Sequence, residues 1–271
     1  MSRAEACRAA GDYRGALVAA LVDVGALQED TGDFEGAEAT LGQALDAAGD
    51  DAGGRAWALT RLAAVVRALG RPDAAAALAA EAAASARTAF GPGDDLAEAL
   101  VAQGRMQQDG GDYELAEQTL REAVDMASPG SPAAAVALGA LGAAVRARGR
   151  YEEAIALLRK ARPLVEAAFG AGSIETAAVL GEIGVCCKFA GWFDEGEEAY
   201  RQSLAVTEAA VGPDHPDMAS LYHNLGGLAH ARRDFEGAEP HARRSVDIRV
   251  RAMGPEHVDV AADRVALAAI L

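Results

Sequence analysis

The heptapeptide GDFEGAE, residues 32–38, starts with glycine, has an aromatic residue at its third place and a small residue at its sixth. Five more segments repeat this arrangement at intervals of 38, 41, 38, 42 and 42 residues. They are GRPDAAA from Gly70, GDYELAE from Gly111, GRYEEAI from Gly149, GWFDEGE from Gly191 and RDFEGAE from Arg233. Because a period of about 40 residues is typical of repeat proteins, the sequence predicts six copies of one structural unit.

Each copy also has two small residues twelve positions apart. The later one, the anchor, lies five places after the start of the heptapeptide, at Ala37, Ala75, Ala116, Ala154, Gly196 and Ala238. The earlier ones are Gly25, Ala63, Gly104, Gly142, Gly184 and Gly226. Apolar residues recur at spacings of three and four on both sides of the glycine-led turn, which predicts two amphipathic helices. The small pair is expected to let the two backbones approach closely.

An aromatic residue near the turn occurs in five copies and is expected to wedge between the two helices. These residues are Phe34, Tyr113, Tyr151, Phe193 and Phe235. In the second copy Pro72 takes this place, where it suits the first turn of a helix. The units with a period of 42 residues exceed the shorter ones by four, which is close to one helical turn. We therefore expect an extra turn in their second helices.

Taken together, these residues resemble the tetratricopeptide repeat, which has Leu-Gly on its first helix and Gly-x-Tyr-x-x-Ala at its turn. The segments GPDHPD and GPEHVD, with Asn224-Leu225-Gly226, are similar to the kinesin-light-chain variety. The resemblance implies an all-α fold, a right-handed superhelical solenoid of antiparallel helix pairs. It divides the chain into an N-terminal cap or partly disordered segment at 1–16, six hairpins at 17–256 and a C-terminal capping helix at 257–271.

The overall composition limits the classes of partner. The chain of 271 residues has 41 acidic and 25 basic side chains, a formal net charge of -16. This charge argues against general binding to nucleic acid or anionic membranes. Three cysteines without a CxxC pair, and a start without a signal-peptide core, favour a cytoplasmic protein.

The stretch GPDHPDMASLYHNLGG, residues 212–227, contains histidine and aspartate residues that could suggest a metal or catalytic site. Its first part returns at GPEHVD, so we interpret it as a joint between helices, with Gly212 ending one helix, Asp214 capping the next and Pro216 in its first turn. His223 and His230 are seven residues apart, which places them too far apart along a helix to bind one metal ion. No phosphate loop, nucleophile elbow or catalytic set appears, so the sequence predicts no enzyme, no cofactor and no metal.

The thiol pair Cys186-Cys187 is expected to be a small apolar part of a first helix. Function is therefore expected on the surface of the first helices, which line the concave side of such a stack. We call the positions 8, 11, 14 and 15 residues before each anchor the inner positions. From the second copy onward they hold five bases and one acid, Glu182. The predicted groove residues are Arg61, Arg67, Arg105, Gln108, Arg146, Lys188, His223, Asn224 and His230.

A basic groove in an acidic chain suits an acidic peptide or a C-terminal carboxylate, because arginine can hold a carboxylate with two hydrogen bonds. The sequence thus predicts an adaptor that binds a peptide or partner segment. Two alternatives stay open. The basic side chains can simply pair with neighbouring acids or face water. The chain can also be a self-associating structural module, or a sensor that works with a separate effector protein.

Overall fold

The structure is a computed structural model that describes residues 2–271, and this part of the chain contains fourteen α-helices and no β-strand. The helices are α1 Arg3–Ala9, α2 Tyr13–Asp30, α3 Phe34–Ala48, α4 Ala52–Ala68, α5 Pro72–Ala89, α6 Asp94–Asp109, α7 Tyr113–Met126, α8 Pro132–Ala147, α9 Tyr151–Phe169, α10 Ile174–Ala190, α11 Phe193–Val211, α12 Pro216–Ala231, α13 Phe235–Met253 and α14 Val258–Ile270. The predicted all-α fold class is confirmed.

Each hairpin turns at the residue that begins the repeated heptapeptide. In the first five copies this residue is a glycine with a positive φ, from 75° to 82°. In the sixth it is Arg233, with φ 65°. This left-handed conformation is energetically unfavourable for a residue that has a Cβ atom. The following aspartate often caps the second helix: Asp33 accepts a hydrogen bond from the Gly36 amide, and Asp234 accepts one from Gly237.

The turn between α1 and α2 is a further example that the repeat spacing does not reveal. The segment GDYRGAL from Gly11 has the same pattern, and Gly11 has φ 78°. Asp12 accepts a hydrogen bond from the Gly15 amide, as in the later turns. This copy lies only 21 residues before Gly32, so a search for a period near 40 passes over it.

The small anchor residues lie at the centre of each hairpin. Ala37, Ala75, Ala116, Ala154 and Ala238 have no exposed surface, and Gly196 is buried. The two small residues of a copy lie close together, as expected: a Cβ on Gly196 would lie 3.4 Å from the Gly184 carbonyl oxygen, and one on Gly226 would lie 3.4 Å from that of Ala238. The glycine of the first helix also packs against the residue sixteen places later. A Cβ on Gly184 would lie 2.6 Å from the Tyr200 ring, and one on Gly104 would lie 2.6 Å from Leu120. The glycine therefore makes room for a large side chain of the second helix.

Helix lengths follow the period of the repeat. The second helices α3 and α7 have 15 and 14 residues, whereas α9, α11 and α13 each have 19. The expected extra turn in the longer units is confirmed.

The turn aromatics do not share one role. Phe34 and Phe193 are partly buried against apolar clusters, and Tyr151 stacks on Phe189 with ring centroids 5.1 Å apart. Tyr113 and Phe235, however, are 42% and 46% exposed. The expected wedge is thus not seen for Tyr113, whereas the Phe235 ring still meets His230 of the first helix α12 edge-on, with ring centroids 5.4 Å apart.

The chain divides into two compact units, one up to Ala144 and one from Val145. In the first unit α2, α4 and α6 lie side by side, and in the second α10, α12 and α14 do so. Each unit thus has a surface of adjacent first helices, which we call its first-helix face. In residues 2–271 no helix combines the length and the apolar character needed to cross a lipid bilayer.

The proposed division of the chain at 1–16, 17–256 and 257–271 remains a prediction. The first of these segments contains α1 and the start of α2, and the last contains α14.

Candidate functional site

All nine predicted groove residues lie on first helices and keep contact with solvent. Arg61 and Arg67 are on α4, Arg105 and Gln108 on α6, Arg146 on α8, Lys188 on α10, and His223, Asn224 and His230 on α12. Four of them, including Arg105 and His230, are exposed, and the other five are half-buried. Their joint use as a binding site is a prediction.

In the first unit the basic inner positions are only loosely paired. Arg61 is 3.7 Å from Glu29, and Arg67 is 3.6 Å from Asp109. Among the described residues no carboxylate lies within 4.0 Å of Arg105. The pKa of Arg105 is lowered, chiefly because surrounding protein removes water from the guanidinium and also because Arg67 carries the same charge nearby. Asp109 attracts both guanidinium groups and partly offsets this effect, so the two cations share one nearby carboxylate.

In the second unit the two predicted bases differ. Arg146 donates a hydrogen bond of 2.7 Å to Glu182, the single acid at the later inner positions, so its charge is balanced. Lys188 is half-buried, and its Nζ lies 4.8 Å from the ring centroid of Phe189. Burial lowers the pKa of Lys188, and within the described part of the chain no carboxylate approaches its Nζ within 4.0 Å. A Cβ on Gly227 would lie 3.6 Å from that atom, so the glycine keeps open space beside it.

The histidines of α12 border a cavity of about 110 Å³ between α12, α13 and α14. His223 Nδ1 lies 2.7 Å from a carboxylate oxygen of Asp263, which is 2% exposed. Ser245 donates a hydrogen bond of 2.5 Å to the other oxygen of Asp263, and Arg249 forms an ion pair of 2.8 Å with it. His230 lies on the same cavity wall. Through His223, the part of the predicted groove on α12 is thus tied to the last helix.

Burial alone would raise the pKa of Asp263, but the hydrogen bonds from His223 and Ser245 and the charge of Arg249 outweigh it. The pKa is therefore held below its ordinary value. Sequence reasoning missed this residue, although a signal exists. Counting one period of 42 residues forward from the buried Leu221 gives Asp263, a carboxylate where the fold otherwise buries an apolar side chain.

The GPDHPD joint has a different cap from the expected one. Gly212 ends α11 and Pro216 stands in the first turn of α12, as predicted. The N-cap is His215, whose Nδ1 accepts from the Asp217 amide at 3.3 Å, so the assignment of Asp214 as the cap is wrong. Asp214 instead forms an ion pair with Arg244 at 3.0 Å. His257 caps α14 in the same way as His215.

The reactive candidates are shielded. Cys186 and Cys187 are fully buried in α10, as expected for small apolar residues. Burial raises the pKa of the Cys186 thiol to about 12 and that of Cys187 to about 11, which disfavours the nucleophilic thiolate. Across residues 2–271 no group of three or more histidine, cysteine, aspartate or glutamate side chains has an arrangement suited to a metal ion.

Comparison with known proteins places this geometry in a family. A model described as tetratricopeptide repeat matches residues 54–128, 133–191 and 175–249. The chain therefore belongs to the tetratricopeptide repeat family. A search of curated proteins gave no significant match.

Solved structures with the same fold have low sequence identity to this chain. BtubC (BKLC) from P. vanneervenii has 22% identity and a TM-score of 0.65, covering 83% of this chain and 93% of its own. The putative kinesin light chain repeats of Podosopora anserina have 18% identity and a TM-score of 0.59, covering 72% and 94%. A Rap protein complexed with Competence and Sporulation Factor has 16% identity and a TM-score of 0.64, covering 94% and 75%.

Proposed function

We propose that the protein is a non-enzymatic adaptor that binds an acidic peptide or partner segment on its first-helix faces. The tetratricopeptide repeat fold supports a role as a scaffold for protein–protein interaction. The proposal of an acidic ligand rests on the surroundings of Arg105 and Lys188. Both stand at inner positions where no carboxylate of the described residues lies within 4.0 Å, in a chain whose net charge is -16. In such a chain, a cation that lacks an internal partner favours an external anion.

The ligand that fits these positions is a carboxylate-bearing segment. Arg105 offers a planar fork for two hydrogen bonds to a carboxylate, and Arg67 adds charge beside it. Lys188 offers a compact ammonium with open space next to Gly227. The Rap protein of the same fold, which is complexed with Competence and Sporulation Factor, supports the idea that such a fold binds a partner. A side-chain carboxylate and a chain-terminal carboxylate have the same chemistry here.

The wider setting follows from the same charge balance. We propose a cytoplasmic protein whose partners are proteins or peptides and not nucleic acids or membranes, since the net charge of -16 repels polyanions. The function needs no cofactor. The pairing of Arg146 with Glu182 makes Arg146 a weaker contributor than the sequence suggested.

A displayed library of random peptides, half with free C-termini and half with amidated ones, tests this proposal. We expect the wild-type chain to select peptides rich in aspartate and glutamate. The double variant Arg105→Glu, Lys188→Glu should bind the selected peptides at least tenfold more weakly. The matched control is Lys160→Glu, Arg201→Glu, which makes the same change in charge at exposed positions of the second helices α9 and α11.

The control should keep wild-type affinity, because a general charge effect would weaken both variants equally. Selected peptides without an acidic bias, or equal affinities for the wild type and the Arg105→Glu, Lys188→Glu variant, would refute the proposal. Preference for free over amidated termini would identify the chain-terminal carboxylate as the group recognised.

A second candidate function is self-association, and a specific surface favours it. One face of α2 exposes four large apolar residues with helical spacing, Tyr13, Leu17, Val24 and Leu27. In the next copy the residues equivalent to the last two, Leu62 and Val65, are buried. This end of the first unit therefore presents the face that later copies cover, and we propose a second copy of the chain as its occupant.

Light scattering over a range of concentrations tests self-association. A dimer that becomes a monomer on Leu17→Glu, Leu27→Glu substitution supports this candidate. A wild-type chain that stays monomeric at all concentrations excludes it and leaves the adaptor proposal unaffected.

A further inference from the structure

The short helix α1 places one side chain on the first-helix face of the first unit. Arg3 donates from Nε to Asp95 at 2.9 Å and from Nη2 to Glu98 at 2.6 Å. Its guanidinium carbon lies 5.6 Å from the ring centroid of Trp57. Trp57 and Glu98 each stand eighteen residues before their anchors, three residues beyond an inner position and so on the same helix face. The inner positions defined from the sequence did not include Trp57 and Glu98, which lie one helical turn further towards the N-terminus.

We call Trp57, Asp95 and Glu98 the receiving site, and two of these residues also contact each other. The indole Nε1 of Trp57 donates to the same Asp95 oxygen at 2.9 Å, which fixes both side chains. The ring of Trp57 stacks on Phe90, with centroids 6.0 Å apart and an angle of 18° between the planes. These contacts join α4, α6 and Phe90, the residue that follows α5. The receiving site is therefore built without any help from α1.

The chemistry of this site is specific for a guanidinium. Two carboxylates and an aromatic face match the fork of donors and the flat cation of arginine. Lysine has a strongly hydrated point charge and lacks the planar fork, so it fits less well. The carboxylates raise the pKa of Arg3 although burial opposes this effect, so the bound group stays charged.

The hold of α1 on the rest of the molecule is slight. The helix has seven residues, of which only Ala4 is buried, and it ends before Gly11, a turn residue with φ 78°. Arg3 and Asp95 keep 35% of their side-chain surface exposed, and Glu98 keeps 45%. Partly exposed ion pairs of this kind contribute little to stability. A tethered segment with such weak contacts can exchange with a competing ligand.

We propose that Trp57, Asp95 and Glu98 form a recognition site for an arginine carried by a partner segment, and that Arg3 occupies this site in the free protein. A partner binds by displacing α1. The site uses acidic and aromatic residues, distinct from the basic positions of the proposed acidic-segment groove, so each proposal can fail without the other.

The test uses the full-length chain and a peptide of residues 2–12 with Cys7→Ser, labelled for fluorescence anisotropy. The Arg3→Ala chain has a vacant site and should bind the peptide at least tenfold more tightly than the wild type, whose own Arg3 competes. The Arg8→Ala chain is the matched control, since Arg8 donates its hydrogen bond to the Ala4 carbonyl of its own helix. This control should bind as weakly as the wild type.

Two further arms identify the contacts. A peptide with Arg3→Ala should lose binding to the Arg3→Ala chain, whereas a peptide with Arg8→Ala should keep it. The chain with Arg3→Ala, Glu98→Gln should also lose binding; because Glu98 is half exposed, this change does not threaten the fold. Absence of peptide binding to the Arg3→Ala chain, or binding that does not depend on the peptide arginine or on Glu98, would overturn the proposal.

Discussion

At the scale of single residues, the turn position of the sixth copy is the clearest exception in the repeat. Five glycines adopt positive φ at this place, whereas Arg233 does so with a full side chain. Replacing Arg233 with glycine should raise the free energy of unfolding by about 1 kcal/mol, because the left-handed conformation costs a residue with Cβ roughly that amount. The midpoint of urea unfolding measures the change.

The neighbouring Arg232 provides the control for this substitution. Arg232 has φ -78° and pairs with Asp194 and Glu197. An Arg232→Gly change should therefore lower the midpoint or leave it unaltered. A lower midpoint for Arg233→Gly as well would contradict the account of the turn.

The thiols of α10 give a second prediction at this scale. Since burial raises the pKa of Cys186 to about 12 and that of Cys187 to about 11, neither forms a thiolate readily at neutral pH. Iodoacetamide at pH 7.5 should leave both unmodified in the native chain and modify both in urea, as mass spectrometry would show. Rapid native modification of either residue would disagree with the burial of α10.

At the scale of helices, packing between the two members of a hairpin depends on one glycine. A Cβ on Gly184 would meet the buried Tyr200 ring at 2.6 Å, so Gly184→Ala should destabilise the hairpin by about 1–3 kcal/mol. On the same helix, a Cβ on Gly181 would meet only Ser203 and Leu221 at 3.7 and 3.8 Å. Gly181→Ala should instead stabilise by about 1 kcal/mol, since alanine favours helices.

Thermal unfolding of the two variants measures this difference. The same substitution three residues apart should shift the midpoint in opposite directions. A shift in the same direction for both would mean that helix propensity, and not contact with Tyr200, decides stability at this position.

The attachment of α14 depends on a buried carboxylate. Asp263 contacts His223, Ser245 and Arg249, and its pKa is lowered in the folded chain. Because the folded pKa lies below the unfolded one, this stabilisation is present at neutral pH. It is lost as the pH falls through the folded pKa. Asp263→Asn should destabilise the docked helix by about 3 kcal/mol at pH 7, leaving Arg249 without its buried partner.

Hydrogen exchange of the Val258–Ile270 amides measures this attachment, and we expect roughly 100-fold faster exchange in the variant. The control is Asp259→Asn, because Asp259 also pairs with Arg249, at 3.2 Å, but is 45% exposed. Its exchange should remain close to that of the wild type. Equal protection of α14 in all three chains would show that the carboxylate does not hold the helix.

At the scale of the whole molecule, local and periodic features could be predicted from the sequence. The anchors such as Ala37 and Ala154 recur in register, and burial of a small residue between two helices is a constraint of each copy by itself. The burial of the cysteine pair and the extra turn of the longer second helices could be predicted for the same reason. The position of the N-cap at His215 was missed by one residue, since aspartate and histidine can both accept an amide hydrogen bond there.

Contacts between residues far apart in sequence could not be predicted. Arg3 reaches Asp95 and Glu98 across more than 90 residues, and His223 reaches Asp263 across 40. Such pairs depend on where side chains point after the helices have packed, which a periodic pattern does not encode. The same is true of Arg146, whose charge is balanced by Glu182, in contrast to Lys188.

The central proposal is that partners bind on the first-helix faces, and photo-crosslinking tests it most directly. A photoreactive residue is placed at Gln108 on the first helix α6 or at Gln118 on the second helix α7, which are both polar and in the same unit. The account predicts that a selected acidic peptide forms a crosslink from position 108 and none from position 118. A crosslink from position 118 without one from position 108 would contradict it.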